Sequence, residues 1–95
     1  MSLREKIAKR LVSQIVQNDI NLDFPDFIKK IRMNLGISQS YVCRQAKIHY
    51  SKLYFYESKN KFKEPSDAEL FLLADYYGIP GHMLVTKKNE YLGVI

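Results

Sequence analysis

An all-α fold of short helices in one small domain is what this sequence predicts, on three observations. Apolar residues recur at steps of three and four in separate stretches, the first running through Leu3, Ile7, Ala8, Leu11, Val12, Ile15 and Val16. Residues that start and stop helices punctuate these stretches: Asp23 with Pro25, Ser38, and Ser66 with Glu69 at starts, Gly36 and Gly78 at stops. Strand-like residues gather only at Tyr91 to Ile95, and five residues cannot form a sheet alone. The 95 residues, 46% of them apolar, suffice for one modest core without staples or metals.

The elements follow in order. The first amphipathic stripe predicts an N-terminal helix within residues 1–22, ending near Asn18. Asp23 then reads as an N-cap, Pro25 is tolerated in a first turn, and Asp26 suits the positive end of a helix that runs to Leu35 and stops at Gly36. Ser38 caps a third helix that ends near Ala46, and after the short turn Ala46-Lys47-Ile48 a fourth runs from His49 or Tyr50 to Ser58. Leu53 and Tyr56 are spaced to face inward on it, whereas Tyr50, Ser51, Tyr54 and Phe55 lie toward the other side. Lys59 to Pro65 is a loop. Ser66-Asp67-Ala68-Glu69 is a capping box before the apolar run Leu70 to Ala74, and Gly78 ends that helix. A short turn over Pro80 to Val85 closes the core with Met83 and Leu84, leaving residues 86–95 as a tail whose residues Tyr91 to Ile95 suit an extended conformation. The expected division is therefore residues 1–22, 23–85 and 86–95.

Charge is distributed unevenly along the chain. From Lys29 to Lys63 there are nine Lys or Arg residues and a single acid, Glu57, a local net of +8 in a chain whose net is +5. Such concentration is the footprint of a protein that approaches phosphates, although a solvated lysine-rich surface has the same composition. The single cysteine, Cys43, lies in a helical pattern, so no intramolecular disulfide forms and a reducing, cytoplasmic setting is expected. Charges every few residues in the first helix and the lack of any long apolar run argue against secretion and a membrane partner. His49 and His82 are far apart, no cluster has metal spacing, and neither a phosphate-cradling Gly-rich loop nor a nucleophile motif occurs. No enzymatic activity, metal or cofactor is implied.

Residues 27–84 resemble the XRE family, the Cro-like or lambda-repressor-like helix-turn-helix domain of five short helices. The resemblance rests on an ordered set: Arg32, Gln39, Val42 followed by Cys43, Leu53, Tyr56 followed by Glu57, Pro65, and the endings Leu73-Ala74 and Gly78-Ile79. It implies a sequence-specific regulator of transcription, a repressor, that binds double-stranded DNA with the helix at residues 50–58 in the major groove. It also implies an ion pair of Arg32 with Glu57 that pins the first helix of the domain to the end of the recognition helix. Where the family usually has Gly, this sequence has Lys47 in the inter-helix turn and Lys59 after the glutamate, so either a lysine adopts a left-handed conformation there or the turn geometry differs.

Under that resemblance the site residues take distinct parts. Gln39, at a helix N-terminus, anchors a phosphate. Tyr50, Ser51, Lys52, Tyr54 and Phe55 face base edges, where Ser bonds several bases, Lys contacts guanine and aromatic edges pack on thymine methyls. Lys59, Lys61 and Lys63 lie along the backbone. Cys43 fills a small buried position and His49 is a capping residue. Exposed aromatics on one helix are equally characteristic of a protein-binding surface, so a protein partner, with the chain acting as an antirepressor, an inhibitor or an antitoxin, is the alternative. The stripe from Leu3 to Val16 needs cover, either on its own domain or in a homodimer that sets two recognition helices one DNA turn apart, with the tails paired across the two-fold axis.

Overall fold

The computed structural model describes residues 21–93, so the stripe from Leu3 to Val16 and the last two residues lie outside the described residues. Five α-helices make up this part, and no strand occurs among the described residues. Helix α1 (Phe24–Leu35) starts where the Asp23 side chain accepts a hydrogen bond from the Asp26 N–H at 3.3 Å, and it stops at Gly36, whose φ of 68° is left-handed. Its buried face is Phe24, Phe27, Ile28 and Ile31, a spacing of three and four that puts all four on one side. Helix α2 (Gln39–Ala46) starts at Ser38, whose Oγ accepts from the Tyr41 N–H at 3.1 Å, and it buries Val42, Cys43 and Ala46.

Lys47 ends α2 with φ 61° and ψ 42°, so there the lysine adopts the left-handed conformation. That conformation costs a non-glycine residue about 1–2 kcal/mol, offset here by hydrogen bonds from the Lys47 and Ile48 N–H groups to the Cys43 carbonyl. At Lys59 the turn geometry differs instead. Among the described residues Lys47 alone has positive φ outside glycine, so the backbone at Lys59 is not left-handed.

Helix α3 (Lys52–Tyr56) is one turn long, shorter than the helix expected from His49 or Tyr50 to Ser58. The physical reason is local. The Ser51 hydroxyl is hydrogen-bonded to His49 Nδ1 at 2.9 Å instead of capping the helix, and Glu57 and Ser58 close the other end with a tightened turn in which the Ser58 N–H reaches the Phe55 carbonyl. Helix α4 (Asp67–Tyr77) begins at Ser66, whose Oγ accepts from the Glu69 N–H at 3.2 Å, and ends at Gly78 with φ 78°. It buries Leu70, Leu73, Ala74 and Tyr77 but leaves Phe71 and Leu72 at the surface, because the apolar run is wider than the face that meets the core. Among the described residues the Tyr77 hydroxyl has no hydrogen-bond partner, at a cost of about 1–3 kcal/mol.

Helix α5 (Gly81–Leu92) replaces the short turn and extended tail. One continuous helix crosses the expected boundary between residues 85 and 86, and the segment from Thr86 to Leu92 is not a strand. Tertiary partners override the β-propensity of Tyr91 and its neighbours. Leu84 enters the core, the Lys87 ammonium donates to the Leu22 carbonyl at 2.6 Å and lies 4.7 Å from the centre of the Phe27 ring, and Tyr91 meets Phe62 edge to face. Burial pushes the Lys87 pKa down. Helix α5 packs on α4 and α1, and α2 packs on α4 and α3, so α3 is held at the edge of the bundle with one side outward.

Candidate nucleic-acid interface

Two carboxylates anchor α3. At its C-terminal end Glu57, whose side chain is 2% exposed, receives Arg32 Nε at 2.8 Å, Arg32 Nη2 at 2.9 Å and the Gln39 amide nitrogen at 3.0 Å. Arg32 also donates to the Ile37 carbonyl at 2.9 Å. The end of α1, the start of α2 and the end of α3 thus meet at one bidentate ion pair, and the Glu57 hydrogen bond holds the Arg32 pKa above its ordinary value. On its inner side α3 buries Leu53 and Tyr56.

The second anchor is Glu69, in the first turn of α4. It accepts from the Tyr56 hydroxyl at 2.9 Å, from Ser66 Oγ at 3.1 Å and from the Lys52 ammonium at 3.0 Å. Burial alone would push this carboxyl up, but the three donors outweigh it and hold the pKa below its ordinary value. A carboxyl depressed by folding contributes stability that is present above the unfolded value of about 4.3 and is lost as pH falls through the lower folded value. We expect urea midpoints of the native chain to fall on acidification through that window, and Glu69→Gln to flatten the fall. Identical pH profiles would remove Glu69 from the anchor.

With both ends fixed, the outward side of the unit carries Tyr50, 72% exposed, and Tyr54, 47% exposed, with Ser51 between them and half-buried. Tyr50 and Ser51 stand in the turn before α3, not on the helix. The His49 ring lies 4.6 Å from that of Tyr50, and its Nδ1 also accepts a long, 3.4 Å contact from the Ser51 N–H, so His49 orders the approach to α3. Phe55 is half-buried, edge to face with Tyr54, and the Lys63 ammonium covers it at 4.2 Å from the ring centre.

The lysines separate by what they touch. Lys52 is bound to Glu69. Lys59 bridges Asp26 at 2.8 Å and Asp23 at 3.1 Å, and these carboxylates hold its pKa up. Lys61 and Lys63 are exposed in the loop after α3, and Lys29, Lys30, Arg44 and Lys47 are exposed on and after the first two helices. Gln39 directs its amide nitrogen to Glu57, and it shares with Lys29, Tyr54, Glu57 and Ser58 a shallow depression between α1 and α3. Glu69, Asp23 and Asp26 escaped sequence reasoning as parts of this face. Each was explained locally as a helix-start acid, and no spacing signal reports a partner 13 or more residues away.

A family model described as helix-turn-helix matches residues 28–84. The chain belongs to the XRE type of this helix-turn-helix family. As a member it is, in general class, a DNA-binding helix-turn-helix regulator, and the family is a regulatory one and not a family of enzymes. No curated protein and no solved structure matches the chain significantly. Within the helix-turn-helix match α2, the Lys47 turn and α3 form the two-helix unit of the motif, and α5 runs eight residues past its end. Among the described residues no helix is long and apolar enough to cross a membrane, and no group of His, Cys, Asp or Glu is placed to hold a metal ion.

Proposed function

We propose that this chain binds double-stranded DNA sequence-specifically as a homodimer and acts as a repressor of transcription, presenting Tyr50, Ser51 and Tyr54 to the major groove. The observation that carries the reading is the pinned α3, whose outward residues are exposed while Glu57 and Glu69 fix both of its ends. A rigid mount of this kind is what base readout needs, because a hydroxyl or ring edge must meet a base edge within hydrogen-bond or van der Waals reach. Gln39 retains a second amide hydrogen for a phosphate at the start of α2, and Lys61 and Lys63 flank the backbone. Lys52, engaged by Glu69, and Phe55, beneath Lys63, border the readout and do not lead it. A homodimer follows from the size of the motif, since one such unit reads only a few base pairs and a two-fold operator supplies the rest.

The exposed aromatics favour one second reading, a protein-binding module in which the same face meets an antirepressor-type or antitoxin-type partner. Salt dependence separates the two. On duplex DNA, replacing Lys61 and Lys63 together by Gln is expected to weaken binding to all sequences alike and to flatten the plot of log affinity against log salt by about two units. Lys59→Gln is expected to leave the slope unchanged, since its charge is already held by Asp23 and Asp26. A native slope near zero would favour the protein partner. Selection on randomised duplexes, with a palindrome among the enriched sites, tests the homodimer.

A further inference from the structure

We infer that the C-terminal half of α5, beyond the family match, is a strut that shapes the basic loop at residues 59–65 for DNA, with Tyr91 and Lys88 as its positioning residues. The inference rests on the DNA-binding reading above. Its starting point is the loop itself. Among the described residues no backbone-to-backbone hydrogen bond begins or ends between Lys59 and Pro65, so side chains must set the loop's path. Among the described residues, inside the loop only the Lys61 N–H finds a local acceptor, Ser58 Oγ at 3.1 Å.

Side chains at the start of α1 hold the beginning of the loop, through Asp23 and Asp26 on Lys59, and α5 holds its middle and end. Phe62 is wedged between two rings, that of Phe24 at 5.9 Å and that of Tyr91 at 5.0 Å, both edge to face. Three residues before Tyr91, and so on the same face of the helix, Lys88 is 5% exposed. Its ammonium reaches the Pro65 carbonyl at 3.4 Å, Asp67 at 2.5 Å and Glu64 at 3.8 Å. A lysine sequestered to that degree is held by its partners, and they bracket the end of the loop. Tyr91 and Lys88 thus grip it at Phe62 and at Glu64 to Asp67, and Lys61 and Lys63 flank Phe62 on either side. Phe62 is half-buried against these rings while its two neighbours are exposed, the Lys63 ammonium lying over Phe55. The strut therefore acts on DNA without touching it.

The test is a double-mutant cycle on the whole chain. Tyr91→Ala is expected to weaken duplex binding about fivefold and to lower the salt slope by roughly one unit, because two backbone cations lose their placement. In a chain that already carries Lys61→Gln and Lys63→Gln, Tyr91→Ala is expected to change nothing further, and Tyr91→Phe, which keeps the ring on Phe62, to bind as the native chain does. Equal weakening in both backgrounds, or none in either, overturns the proposal. Should Tyr91→Ala not fold, Tyr91→Leu runs the same cycle with the helix face kept apolar. Limited tryptic digestion of the free protein keeps this inference separate from the DNA reading: faster cleavage after Lys61 and Lys63 in the Tyr91 variant, with the other sites unchanged, supports the strut even if no duplex binds, and faster cleavage at all sites alike, or no change, overturns it.

Discussion

Glu57→Ala is expected to remove about 3–5 kcal/mol of stability, a large share of what a domain of this size possesses. The variant leaves the Arg32 guanidinium, 14% exposed, facing an emptied site with only the Ile37 carbonyl to bond, and it takes the acceptor from Gln39 as well. Three elements lose their common point at once. Urea denaturation reads the effect as a lower midpoint with an unchanged slope, which separates lost stability from altered compactness. Replacing both partners by apolar residues of similar volume, Arg32→Met with Glu57→Leu, should recover much of the loss, since neither charge is then stranded. A loss below about 1 kcal/mol in Glu57→Ala would show that the pair is no more than a solvated surface contact.

The second large effect is on discrimination and not on folding. Ser51→Ala or Tyr54→Ala should reduce preference for the selected site by about 1–3 kcal/mol while binding to random duplex stays nearly unchanged. Tyr54 is 47% exposed and Ser51 lies outside the core, so neither truncation opens a cavity that would confuse the result. Competition between the selected and a scrambled duplex measures it. Equal loss on both would take these residues out of base readout, and loss of the folded state would mean that they belong to the packing of α3.

The bundle was legible wherever structure is decided by neighbours in sequence. Asp23, Ser38 and Ser66 each cap a helix through a backbone N–H three residues on, and Gly36 and Gly78 stop helices in the left-handed conformation. Such signals operate within a single turn. What escaped was set at longer range. Helix α3 is too short to carry its own periodic signal and owes its limits to His49 and to the contacts at Glu57. The charge count correctly marked a basic middle, yet Lys59 and Lys52 spend their charge on carboxylates of α1 and α4 that only the fold brings near. The extended reading of Tyr91 rests on β-propensity alone, whereas in the fold Tyr91 lies on α5 with its ring edge to face against Phe62. The Leu3 to Val16 stripe, with the question of what covers it, lies outside the described residues.

Cys43, the chain's one thiol, gives the two-helix unit a built-in stopwatch. It is 1% exposed, its Sγ points across the turn to the Tyr50 carbonyl at 3.6 Å, and burial pushes its pKa up. The closed unit therefore shields the thiol from an alkylating reagent and disfavours its thiolate. Each modification event has to wait for α2 and α3 to part, so the labelling half-life at a given reagent concentration reports how often the unit opens. No dye or engineered handle is required, because a single cysteine makes every adduct unambiguous. Any ligand that clamps these helices together will lengthen that half-life in proportion to its grip, whether or not it touches the sulfur.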